Sequence, residues 1–155
     1  MNPIEVHLAL NHVPVLATLF ALGLIVFGLA ARREGLLRVG LVFLVLSAVA
    51  TVPVSLSGEE AEEIVEERVD APETFIHEHE EAAEPAVWGA YALGVLALFG
   101  LVGFRARALP GWFTGLVLIG TLAAGALLLR AANLGGQIEH QELRGDTPAL
   151  EAPDS

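Results

Sequence analysis

Four apolar stretches constrain this chain more than any other feature. Residues 13–31, 36–56, 86–104 and 112–132 are near-continuous runs of Leu, Val, Ala, Ile, Phe and Gly. Each is about 20 residues long, and at ~1.5 Å of rise per residue a helix of that length crosses a bilayer core of ~30 Å. A soluble domain would confine its apolar positions to one face and alternate them with polar ones, which these runs do not. The expected fold class is therefore all-α: a four-helix transmembrane bundle, up-down-up-down, forming one membrane domain over residues 1–145. Residues 146–155, rich in Pro, Asp and small side chains, read as a disordered tail.

The net charge of −11 is unevenly placed. Arg32, Arg33 and Arg38 flank the first interspan turn and Arg105 and Arg107 flank the third, while of the nineteen acids only Glu34 lies on that side. Short loops that carry positive charge stay in the cytoplasm. That rule predicts a multi-pass membrane protein with both termini and the acidic loop 57–85 outside. The first span is preceded by Glu5 and followed by its basic pair, the reverse of a signal peptide. With the bilayer as its first partner and no basic patch, the chain is not read as binding nucleic acid; its acidic outer face attracts cations instead. The absence of cysteine excludes disulfides, thiolate ligands, c-type haem attachment and Cys-ligated iron–sulfur clusters.

Between the second and third spans, residues 58–70 are helix-forming and acidic. Ala61, Ile64, Val65 and Arg68 can share one face, with Glu59, Glu63, Glu66 and Glu67 on or near another. This predicts a short amphipathic acidic helix in the outer loop, separated from the second span by a bend or stop at Pro53. A further helix is expected to start near Glu73 and run through His79 into the third span. Gly111 and Gly115, then Gly120 and Ala124, have the four-residue spacing that lets membrane helices approach closely.

Under up-down topology all five histidines fall at one end of the bundle. His7 and His12 are five residues apart, about 140° on a helix, so only one can point into a small site. His12 is the deeper and is the expected ligand; His7 reads as a solvated interface residue. His79 is in register with Ala83, Ala86 and Ala90, a face suited to close helix contact. In the fourth span Arg130, Asn133, Gln137 and His140 are spaced +3, +4 and +3 along one stripe, expected to face the bundle interior, with Arg130 paired to Glu59, Glu63 or Glu80.

Imidazole with carboxylate suits iron, zinc, manganese or copper(II). The expected metal ligands are His12, His79, His140, Glu59, Glu63 and Glu80, with Arg130, Asn133, Gln137 and Glu142 around them, in a site of one or two ions that is redox-linked or structural. Two readings stand beside it. The same three histidines, His12, His79 and His140, are the candidates for holding haem b in a haem- or quinone-linked electron-transfer subunit. A structural membrane subunit without a cofactor would use these polar side chains only to pair with one another.

The segment His7-Leu-Ala-Leu-Asn-His12-Val-Pro14 resembles the His-Pro-x-x-x-His-Phe-Pro opening of an uncharacterised bacterial family of predicted membrane proteins, domain of unknown function 2231. Leu8 and Val13 stand where that pattern has Pro and Phe. The Gly-Gly-x-Leu/Ile segment that closes the family's fourth span is similar to Gly135-Gly-Gln-Ile138 here. A subset shares Gly-Glu-x-x-Glu-Glu after the second span and His-Glu-Glu-Ala before the third, matching residues 58–63 and 79–82. The resemblance implies four membrane helices. Relatives fused to redox domains imply an electron-transfer setting, with a periplasmic or membrane redox protein as partner.

Overall fold

The computed structural model describes residues 3–68 and 73–139. These form helices and no strand: α1 (Pro3–Leu10), α2 (His12–Ala30), α3 (Glu34–Arg68), α4 (Glu73–Gly103) and α5 (Gly111–Glu139). α1 and α2 meet at Asn11, whose amide still donates to the His7 carbonyl at 2.8 Å. Pro14 has no N–H to offer the Leu10 carbonyl, and the helix breaks within that turn. Four segments are long and apolar enough to cross a membrane: Glu5–Ala30, Glu34–Gly58, Ile76–Gly103 and Gly111–Ile138. They contain nearly all of the four apolar stretches, and the chain is a multi-pass membrane protein by length and composition.

α2 packs on α3, α3 on α4, α4 on α5 and α2 on α5, with α1 lying against α3. This closed ring of four surrounds a core of Ala21, Ile25, Leu41, Leu44, Leu93, Ala97, Phe113 and Val117. The outside is apolar as well: Phe20, Phe27, Val49, Val95 and Ile119 are all more than 60% exposed. Helices that are apolar on every side are stable where the surrounding solvent is lipid. Interior hydroxyls are satisfied within the bundle. Ser47 Oγ donates to the Pro14 carbonyl at 3.0 Å, which leaves Thr18 Oγ1 to donate to Ser47 Oγ at 2.9 Å; Thr51 and Thr121 bond the carbonyls of Ser47 and Val117.

Two local expectations need correction. Residues 58–68 are not a separate loop helix but the distal end of α3, which passes Pro53 without stopping. Proline removes a single helical hydrogen bond, and the Glu- and Ala-rich sequence beyond it continues the helix. Close helix approach is absent at Gly111 and Gly115, which face open space, and present at Gly120, where a Cβ would stand 3.1 Å from Leu93, and at Ala124, which faces Gly89. A tighter approach falls at Gly94, where any Cβ would collide with that of Ala48 on α3. The helix from Glu73 through His79 into the third span is continuous, as the sequence predicts.

The arginine-bearing end is tied by two devices. Arg38 holds Glu34 Oε1 through Nε (3.0 Å) and Nη2 (2.6 Å), and Nη2 also donates to the carbonyls of Phe104 (3.0 Å) and Arg107 (2.9 Å) at the exit of α4. α2 ends in a Schellman turn: the Arg33 amide donates to the Gly28 carbonyl at 2.8 Å and the Arg32 amide to that of Leu29 at 3.2 Å. Arg32 occupies the left-handed position of this turn, with φ 52°, where glycine is the usual residue.

Candidate metal centre

At the opposite end of the bundle two histidines share one unusual setting. The His7 ring lies on α3, where Nδ1 is 3.1 Å from the Val54 carbonyl oxygen. The His79 ring lies on α5, where Nδ1 is 3.0 Å from the Ala131 carbonyl oxygen. A carbonyl only accepts, so in both rings Nδ1 carries the proton and donates. Neutral imidazole then presents Nε2 as a bare lone pair.

Each contact depends on a glycine four residues further along the receiving helix. Helical Cα–Cβ bonds tilt toward the N-terminus, so the side chain at i+4 overhangs the carbonyl of residue i. Four residues past Val54 is Gly58, where a Cβ would stand 3.2 Å from His7 Cε1. Four residues past Ala131 is Gly135, where a Cβ would stand 3.0 Å from His79 Cε1. The glycines uncover the two carbonyls and let the ring edges reach them. His79 is half-buried, with its ring against Ala131 and Gly135 of α5. It comes from α4 and His7 from the segment leading into α2, helices on opposite sides of the ring.

The other candidate residues are placed differently. His12 is exposed, and its Nδ1 donates to the Asn11 side-chain oxygen beside it. Glu80 is exposed and pairs with His77 Nδ1 at 3.7 Å, while Glu81 reaches His77 Nε2 at 3.3 Å. Glu59 and Glu63 lie in α3 with side chains outside the described set, and His140 and Glu142 lie outside the described residues. Among the described residues no three His, Asp or Glu side chains group closely enough to hold a metal ion.

The polar stripe of α5 does not face the bundle interior. Arg130 and Asn133 are exposed, and Gln137 Nε2 donates to Asn133 Oδ1 at 3.0 Å. At ~100° per residue these positions lie across the helix from Thr121, Ala124, Leu128 and Ala131, which are buried. Small side chains take the inner side because α4 approaches there. Arg130 has no ion pair among the described residues.

Sequence reasoning passed over His7 and preferred His12 as the inward member of the pair. A signal for His7 exists: Gly58 and Gly135 sit inside helices that would be more stable with alanine, and each marks a close approach. Comparison with protein-family models, curated proteins and solved structures finds no match to this chain. The likeness to domain of unknown function 2231 rests on its motifs alone.

Proposed function

We propose that this protein is an up-down-up-down membrane bundle that binds a transition-metal ion at its non-cytoplasmic end through Nε2 of His7 and His79. The observation that carries the reading is the pair of imidazoles with Nδ1–H tied to backbone carbonyls. Metal-ligating histidines nearly always donate their other ring N–H in this manner, which fixes the tautomer and aims the lone pair. Iron, zinc, manganese and copper(II) all accept such nitrogen. Water and the carboxylates of Glu59 and Glu63, with His140, are the candidates to complete the coordination shell.

The topology is supported by the order of contacts between α4 and α5. His79 meets Ala131 and Gly135, Gly89 faces Ala124 and Leu127, and Gly100 faces Phe113, so the helices run in opposite directions. The depth follows from the aromatic residues. Trp88 and Trp112 are about two-thirds exposed, as interfacial tryptophans are. His79 lies nine residues before Trp88, ~13 Å along the helix, which supports a position for the pair in the headgroup zone. The four residues of the two tethers, His7, Gly58, His79 and Gly135, fall one each in the four motifs that resemble domain of unknown function 2231. Electron exchange with a periplasmic or membrane redox protein would suit a redox-active ion at this depth.

One feature favours haem b as the second reading. Two imidazoles from opposite helices are all the protein ligands that an iron porphyrin needs, since the macrocycle supplies four nitrogens. Elemental analysis and a visible spectrum of protein purified without chelator test both readings. Stoichiometric metal without a Soret band, lost in His7→Gln and His79→Gln but kept in His77→Gln, is the expected result. A Soret band lost in the same two variants assigns haem to the pair. Undiminished metal in both variants overturns the proposal.

A further inference from the structure

The structure points to a second site, independent of the histidine pair, at the arginine-bearing end. We propose that the groove beside the α2–α3 turn binds an anionic phospholipid, its phosphate held by Arg32 and Arg33. The open groove has a volume of about 780 Å³ and is lined by Phe27, Ala31, Arg32, Arg33, Gly35 and Leu36. A lining of apolar side chains and two arginines matches an acyl chain joined to a phosphate, and arginine suits phosphate because its planar fork donates two hydrogen bonds at once.

Two further observations support this occupant. Neither guanidinium has a side-chain partner among the described residues, because Glu34, the acid beside them, is held by Arg38. The backbone of Arg32 also occupies a left-handed position that glycine fills most readily. Strain of this kind in a non-glycine residue is a pointer to function. At Arg32 it falls on a residue that lines the groove, next in sequence to Arg33. Phe27 is exposed on the lipid side of α2, so a lipid reaches the groove from the bilayer without entering the bundle.

The test compares thermal unfolding in detergent with added phosphatidylglycerol or phosphatidylcholine of matched chains. The parent protein should melt several degrees higher in the anionic lipid than in the zwitterionic one. Arg32→Gly relieves the backbone and should melt no lower than the parent in detergent alone, yet lose most of that lipid-specific gain. Arg33→Gln should lose it also. Arg105→Gln, at the other turn, should keep it. Equal gains in the two lipids overturn the proposal, as does a gain that Arg105→Gln removes as fully as Arg32→Gly does.

Discussion

At the scale of single residues, the account rests on how a glycine exposes a carbonyl. In Gly135→Ala the new methyl meets the His79 ring at 3.0 Å and pushes Nδ1 off the Ala131 oxygen. The hydrogen bond lost, about 1 kcal/mol, cancels the helix propensity that alanine adds, so the melting temperature should not rise, while metal retention weakens. Gly58→Ala should act in the same direction on His7, more weakly because its methyl has 3.2 Å. Replacing His12 by glutamine should leave metal content unchanged, since that ring is exposed and occupied by Asn11; elemental analysis of the two histidine variants side by side checks this. His79 was legible in the sequence because its helical neighbours are alanines. His7 was not, because a five-residue spacing says that one of two histidines turns inward without saying which. That choice is made by the break at Asn11 and by the glycine on a helix about fifty residues away.

At the scale of the helices, the same chemistry was legible where it is local and hidden where it is not. Four apolar runs of about 20 residues read as spans, and all four fold into helices long and apolar enough to cross a membrane. The continuation of α3 past Pro53 was misjudged, because a proline signals a stop more loudly than the helix-forming Glu and Ala residues behind it signal continuation. The stripe of Arg130, Asn133 and Gln137 was recognised as one face, but periodicity does not say which face meets a neighbour. The packing of α4 on α5 decides that through Ala124, Ala131 and Gly135. Two predictions belong here. Gly94→Val should force α3 and α4 apart at Ala48 and destabilise the protein by about 2 kcal/mol or more. Arg38→Met should release Glu34 and the carbonyls of Phe104 and Arg107, costing about 1–3 kcal/mol and raising hydrogen exchange at the α4–α5 turn.

At the scale of the whole molecule, charge and ligand chemistry separate to opposite ends. Among the described residues, five arginines cluster around two short turns, while His7, His12, His77 and His79 lie at the other end with most of the acids. The orientation this implies is testable on a clean background, because the chain has no cysteine. A single cysteine at Arg105 should resist an impermeant maleimide added to intact cells, and one at Glu81 should react with it. The central claim is that two imidazoles from opposite helices bind one metal ion together, and its most direct measurement is the electron paramagnetic resonance of copper(II) bound to the purified protein. The account predicts hyperfine coupling to two imidazole nitrogens in the parent, and to one in His7→Gln and in His79→Gln. A spectrum that keeps two imidazole couplings in either variant would contradict it.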